Sequence, residues 1–146
     1  MADLITEKMI NFNLNVKTRD EAIKALAQSI EDEGRISDID TFMEDILKRE
    51  ATCTTAIGFG IATPHAKSAG INTPALAFAR LEKPIKWDDE SEEISMIFMI
   101  GVEQSGADQH LEILASIFRQ LVHKKFRDQL NAAKAPQDII DLINKL

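Results

Sequence analysis

Residues 94–102, ISMIFMIGV, form an almost wholly apolar run, and this run constrains the fold more than any other stretch of the chain. A strand of this composition is typically buried on both faces and lies at the centre of a sheet. The rest of the chain must therefore supply neighbouring strands and helices that cover the sheet.

Signals for neighbouring strands lie on both sides of the apolar run. Apolar residues alternate with asparagines at 10–14, and ALAFARL at 75–81 has strand composition, so both segments are predicted strands. Short strands and a turn are expected between Ala51 and Pro64, where small, β-branched and glycine residues show no helical period. The segment EKPIKWDDESEE, at 82–93, is predicted to be a loop.

Five segments carry the signals of helices: TRDEAIKALAQSIEDEG, DIDTFMEDILKRE, QHLEILASIFRQLV, KKFRDQLNAA and APQDIIDLINKL. The start signal of the first helix is Thr18 with Glu21, and that of the second is Asp40 or Thr41. The third helix has Ser105 with Asp108, and the last helix has Pro136. Strands and helices mix without internal repeats or linker-like composition. This arrangement predicts a single α/β domain over residues 1–146, with helices covering a sheet.

Charge and length exclude several classes of function. A chain of 146 residues permits one well-buried core. The formal net charge of -7, from 17 basic and 24 acidic residues, repels a phosphate backbone, so nucleic acid is not an expected partner. The basic cluster HKKFR at 123–127 is predicted to be the solvated face of a helix.

The expected location is the cytoplasm. No apolar segment approaches the roughly 20 residues that span a bilayer, and the N-terminus lacks a basic start and an apolar signal core. The single cysteine, Cys53, leaves no internal disulfide and no Cys-x-x-Cys pair, which agrees with a reducing compartment.

The segment GFGIATPHAKS leads to the first of three histidines, His65. Thr63 precedes a proline and is therefore biased towards extended backbone, while Pro64 cannot donate a hydrogen bond to a neighbouring strand. Strand pairing is therefore expected to end at Pro64, with His65 projecting from the end of a strand. The glycines of this segment, Gly58 and Gly60, allow the backbone to approach a ligand closely, and exposed amides there can face an anion.

His65 has the chemistry of a nucleophile. A neutral imidazole can take a phosphoryl group directly at cellular pH without an activating base. The alternative is an ordinary loop histidine beside an ordinary tight turn, and composition does not decide between the two.

His110 is a second candidate, because it lies near the start of a predicted helix, where amide groups and the helix dipole favour bound negative charge. It is equally well explained as a helix residue that flanks the core through Leu114.

Arg49 offers a planar fork of donors for phosphate oxygens and shortly precedes the histidine segment. An ion pair with Asp45, four residues earlier on the same helix, explains it equally well. The hydroxyls of Thr54 and Thr55 are further candidate donors, although β-branched residues are common in strands.

The segment TTAIGFGIATPHAKS resembles the active-site segment of the fructose/mannitol type IIA proteins of the bacterial phosphoenolpyruvate sugar phosphotransferase system. The core of the likeness runs from Gly60 to Ala66, with REATCTT upstream and KPIKW and HLEIL downstream, so that it covers almost the whole chain. Two residues depart from the family pattern. Thr63 stands where an aliphatic residue is usual, and Phe59 stands where a small or polar residue is common.

The resemblance implies a mixed parallel and antiparallel sheet of about five strands flanked by helices. It implies that HPr phosphorylates His65 at Nε2 and that a IIB domain then accepts the group, with a membrane IIC subunit downstream. His110 and Arg49 would stabilise the phosphoryl group, and the loop would be supported by Thr54, Thr55 and Gly60. No cofactor and no metal are expected, and the chain contains no Walker loop and no His-Glu-x-x-His motif.

The sequence is compatible with two other interpretations. A regulatory IIA module would be phosphorylated on the same histidine but would bind a target protein instead of supplying a transporter. A cysteine nucleophile would pair Cys53 with His65, although no third orienting residue is evident. The transported sugar is chosen by the membrane subunit, so the sequence indicates only a fructose-like family.

Overall fold

The computed structural model describes residues 4–90, 92–105 and 109–146, with the side chains of 109–111 outside the description. The chain divides into two compact units, Met1–Ser105 and Gly106–Leu146, and each is considered by itself. In the described residues no helix has the length and apolar composition needed to cross a membrane.

The first unit is built on one mixed sheet, in which six strands lie within the described residues. They are β1 (Ile10–Leu14), β2 (Ala56–Gly58), β3 (Ile61–Ala62), β4 (His65–Ser68), β5 (Ala75–Ile85) and β6 (Ile94–Glu103). The strand order is β1-β5-β6-β3-β2, and β4 also pairs with β6. Parallel pairs join β1 to β5, and β3 and β4 to β6, whereas β5 and β6 are antiparallel, as are β2 and β3. The α/β class with a mixed sheet is confirmed, with one strand more than the expected five.

The apolar run forms the centre of this sheet, as predicted. Every residue of β6 is buried except Ser95 and Glu103, which are half-buried. Its partner β5 extends to Ile85, so the prediction that the loop begins at residue 82 is wrong. The register between the two strands shifts between Arg80 and Ile85, and this irregularity accommodates Pro84, which has no N–H for a regular ladder.

A 3₁₀ turn (Glu7–Met9) and two α-helices complete the first unit. Helix α1 (Arg19–Asp32) packs on β5, and helix α2 (Ile39–Thr52) packs on β4. The predicted cap of α1 is confirmed, because the Thr18 hydroxyl accepts the Glu21 N–H. The predicted cap of α2 is wrong: it is Asp38, whose carboxylate accepts the N–H of Thr41.

The second unit contains α3 (Gln109–Leu121), α4 (Lys124–Ala132) and α5 (Pro136–Asn144). Pro136 occupies the first turn of α5, as predicted, because its fixed φ suits that position. In α4, Lys124 and Lys125 are exposed, Arg127 is half-buried and Phe126 is buried, so the lysines of the basic cluster lie on a solvated helix face. The predicted Ser105–Asp108 cap of α3 involves a residue outside the described part of the chain.

Candidate active site

The backbone around His65 is held by the central strand. Ile61 and Ala62 of β3 pair with β6, and pairing with the same strand resumes at His65, opposite Ile100. In the break between them, the carbonyl of Pro64 accepts the Ile100 N–H at 3.0 Å. The prediction that pairing ends at Pro64 is therefore wrong: Pro64 cannot donate, but its carbonyl still accepts, so His65 begins a strand.

The imidazole of His65 is half-buried and has a fixed polar partner. Its Nδ1 lies 2.9 Å from the carbonyl oxygen of Thr63. Because a carbonyl oxygen can only accept, Nδ1 must carry the proton in this hydrogen bond. In the neutral ring, Nε2 then holds the lone pair. The geometry thus provides an oriented nucleophilic nitrogen without an added base.

A tight hairpin between β2 and β3 precedes this strand. Gly58, Phe59 and Gly60 all have positive φ, at +94°, +60° and +74°. The Gly60 carbonyl accepts the backbone N–H of Ser95 at 2.8 Å and of Met96 at 3.2 Å. The contacts of Gly60 therefore fasten the turn to β6, and its support of a phosphate remains a prediction.

The threonines that follow α2 have hydrogen-bond partners within the protein. The Thr54 hydroxyl donates to the Asp88 carboxylate. Thr55 is buried, and its hydroxyl donates to Oε1 of Glu50 at 2.6 Å, while its N–H donates to Oε2 at 2.7 Å. Support of a phosphate by either hydroxyl remains a prediction.

The guanidinium of Arg49 lies at the end of α2. Its Nη1 donates to the Cys53 carbonyl at 2.9 Å, where it satisfies one acceptor of the last helical turn. The Asp45 carboxylate instead accepts the Ser68 hydroxyl at 2.6 Å, so neither of these two contacts is the Arg49–Asp45 ion pair considered from the sequence. Cys53 is an exposed free thiol.

His110 belongs to the other unit. Its backbone lies in the first turn of α3, while its side chain is outside the described residues. The structure therefore does not bring His110 and His65 together or separate them, and its role remains a prediction. Among the residues that the structure describes, no group of three or more His, Cys, Asp or Glu side chains could hold a metal ion.

Sequence reasoning missed Glu50, a carboxylate on the buried face of α2. Its exposed fraction is 5%, and it lies one turn beyond the buried Ile46, which itself follows Phe42 by four residues. An acidic residue that continues an apolar stripe at this spacing is a signal for a buried polar network, because an unpartnered carboxylate there would be costly.

Solved structures show which class of proteins shares this fold. A nitrogen regulatory protein IIA-Ntr from Neisseria meningitidis matches with a TM-score of 0.86 and 22% identity, over 96% of each chain. A complex of the mannitol enzyme IIA with phosphorylated enzyme IIB from Escherichia coli matches with a TM-score of 0.80 and 15% identity, over 98% of this chain and 100% of that chain. These identities show the fold alone, which is that of the IIA proteins.

Sequence comparison identifies the family within this class. A fructose-specific EIIA component from Haloferax volcanii is 36% identical over 127 residues, which is 86% of this chain and 82% of the relative. A fructose-like EIIA component from Escherichia coli K12 is 31% identical over 142 residues, or 97% and 95% of the two chains. The family model of the phosphoenolpyruvate-dependent sugar phosphotransferase system, EIIA 2, matches residues 3–146. This chain belongs to that family, and the resemblance drawn from the histidine segment is confirmed.

Proposed function

We propose that this protein is a phosphocarrier, which accepts a phosphoryl group from phospho-HPr on Nε2 of His65 and passes it to a IIB domain. A membrane IIC subunit then couples the transfer to sugar uptake. The observation that carries the proposal is the hydrogen bond from Nδ1 to the Thr63 carbonyl, because it leaves the lone pair on Nε2. The proposed location is the cytoplasm.

The same hydrogen bond favours the transfer electrostatically. The Nε2 lone pair forms a bond to phosphorus as the bond between phosphorus and the donor breaks, and no proton leaves Nε2. The ring then carries substituents on both nitrogens and develops positive charge, with the proton retained on Nδ1. The Thr63 carbonyl accepts the hydrogen bond from Nδ1–H, and a hydrogen bond from a charged donor is stronger than one from a neutral donor. The contact therefore stabilises the transition state more than the ground state.

Arg49 and His110 are proposed to stabilise the phosphoryl oxygens, with Thr54, Thr55 and Gly60 supporting the loop. For Arg49 the support is chemical: the guanidinium has five N–H donors, and the bond to the Cys53 carbonyl uses one of its terminal nitrogens. For His110 the support is the resemblance and its position at the start of α3. Arg49→Ala and His110→Ala should slow single-turnover phosphorylation of a folded protein, whereas unchanged rates would assign both residues structural roles.

The proposed partners follow from the relatives. The solved complex of the mannitol enzyme IIA with phosphorylated IIB makes a IIB domain the expected acceptor here. The fructose-specific EIIA relative supports a fructose-type system. HPr as the donor rests on the resemblance of the histidine segment.

The phosphocarrier proposal is tested by labelling with phosphoenolpyruvate, enzyme I and HPr. Wild type should take up one phosphoryl group, and peptide mapping should locate it on His65. His65→Ala should not be labelled. His123→Ala is the matched control, because His123 is exposed at the N-cap position of α4 and its side chain makes no capping hydrogen bond, so its loss should leave labelling unchanged. Equal labelling of His65→Ala and wild type would exclude the proposal.

A further inference from the structure

The buried carboxylate of Glu50 organises the backbone that precedes His65. It accepts three hydrogen bonds: the N–H and hydroxyl of Thr55, at 2.7 and 2.6 Å, and the indole N–H of Trp87, at 3.2 Å. Trp87 and Thr55 are themselves buried. Because a buried carboxylate needs such partners, these donors and Glu50 fix one another. Both donors of Thr55 are held, so the orientation of this residue is set by α2.

The next link joins Thr55 to the residue that contacts the imidazole. The Thr55 carbonyl accepts two hydrogen bonds from Thr63, one from its N–H at 2.9 Å and one from its hydroxyl at 3.3 Å. Thr63 is only 1% exposed, so water does not compete for these bonds. The Thr63 carbonyl is in turn the acceptor for Nδ1 of His65, at 2.9 Å.

We propose that Glu50 is a positioning residue that acts through Thr55 and Thr63 to hold the His65 imidazole as its Nδ1–H tautomer. Glu50 does not touch the reacting nitrogen. It fixes Thr55, Thr55 fixes Thr63, and the Thr63 carbonyl can accept only from a protonated Nδ1. Loss of the first link lets the carbonyl move, and the imidazole then gains access to the other tautomer, in which Nε2 carries the proton and cannot attack phosphorus.

The effect on phosphoryl transfer rests on the proposed function, but the tautomer itself can be measured without any transfer. Long-range ¹H–¹⁵N correlation spectra distinguish the two tautomers of a histidine, and the His65 signals are assigned by their absence from His65→Ala. Wild type should show protonated Nδ1 and unprotonated Nε2. Glu50→Ala should show the Nε2–H form as a second population.

Single-turnover kinetics distinguish an effect on the position of the reacting nitrogen from an effect on the binding of phospho-HPr. With phospho-HPr as donor, Glu50→Ala should lower the maximal single-turnover rate by about tenfold or more, because a misplaced reacting group loses alignment in the transition state. The donor concentration at half-maximal rate should stay near that of wild type. Glu50→Gln should restore both tautomer and rate, since its carbonyl can accept from Trp87 and the Thr55 N–H while its NH₂ donates to the Thr55 hydroxyl.

Asp45→Ala is the matched control. Asp45 is also a carboxylate of α2, and it accepts the hydroxyl of Ser68, in the same strand as His65, at the same 2.6 Å. This variant should lose stability in urea but keep the wild-type tautomer and maximal rate. If Glu50→Ala does not fold, Thr55→Val removes the hydroxyl bond alone and should also populate the Nε2–H form.

Two results would overturn the inference: a wild-type tautomer in folded Glu50→Ala and Thr55→Val, or an equal tautomer shift in Asp45→Ala. If the proposed function is wrong, the result is different: wild type is then not phosphorylated on His65. The ¹H–¹⁵N spectra still decide whether Glu50 controls the tautomer of the His65 ring.

Discussion

At the scale of single residues, Thr63 contributes two donors to the Thr55 carbonyl, and these are of unequal importance. The N–H bond is the shorter, at 2.9 Å against 3.3 Å for the hydroxyl. Thr63→Val keeps the shape and the N–H bond, so the acceptor remains satisfied. We expect a loss of less than about 1 kcal/mol in the free energy of unfolding. The labelling rate should remain close to wild type, and a large loss in rate would show that the N–H bond alone does not hold the Thr63 carbonyl in place.

At this scale the sequence singled out His65 as the candidate nucleophile, but it gave no sign of the contacts that hold the imidazole. A glycine-rich approach and a Pro-His pair directed attention to His65 without any structure. The Nδ1 contact depends on where the backbone places the Thr63 carbonyl, and no residue type encodes that placement. Glu50 was missed because a charged residue near a helix end is usually solvated, and only its burial reveals the network.

At the scale of elements, the β2–β3 hairpin depends on glycine for two different reasons. Gly58 and Gly60 both have positive φ, but a Cβ at Gly60 would lie 3.2 Å from the Ser95 hydroxyl oxygen, whereas one at Gly58 would meet nothing within 4 Å. Gly58→Ala should cost about 1 to 2 kcal/mol for the left-handed backbone alone. Gly60→Ala should cost more, as measured by urea unfolding, and equal losses would show that Ser95 rotates away freely.

The N-terminus of α2 should make stability depend on pH. The Thr41 hydroxyl, followed by the Thr41 N–H, lowers the pKa of the Asp38 carboxyl below its ordinary value. A lowered folded pKa contributes stability that is present above about pH 4 and is lost as the pH falls through the folded pKa. Asp38→Asn keeps an acceptor but does not titrate. The urea midpoint of wild type should therefore exceed that of the variant at pH 7, and the difference should shrink by pH 3. A constant difference would contradict this prediction.

The sequence predicted well the helices and strands that have strong local signals. It did not predict strand β4, which forms only because it pairs with another strand. Thr18 with Glu21 fixed the start of α1, and the apolar run fixed the central strand. Strand β4 was missed because its four residues, His65–Ser68, have no periodic pattern and are held by β6. The cap of α2 was misplaced by two or three residues because DIDT offers several capping side chains, and only the backbone selects Asp38.

At the scale of the whole molecule, the family assignment covers both units, since the family model matches residues 3–146. Under the proposed function His65 receives a phosphoryl group, and transport and regulation differ in where that group goes next. A phosphocarrier must release the group, whereas the regulatory alternative retains it and binds a target protein. The two functions therefore predict different fates for the same labelled chain.

We expect the phosphorylated chain, freed of HPr and enzyme I, to lose its label to a fructose-type IIB domain. The reason is chemical: the Thr63 carbonyl accepts a hydrogen bond from Nδ1 of the unphosphorylated ring, and we expect it to keep the proton on Nδ1 after phosphorylation. Release then needs no proton to be added to Nε2 before the phosphorus–nitrogen bond breaks. Intact mass measured over time should show the loss from this chain and an equal gain on IIB. His123→Ala should behave as wild type. Retention of the label with fructose-type and mannitol-type IIB domains alike would favour the regulatory role over transport.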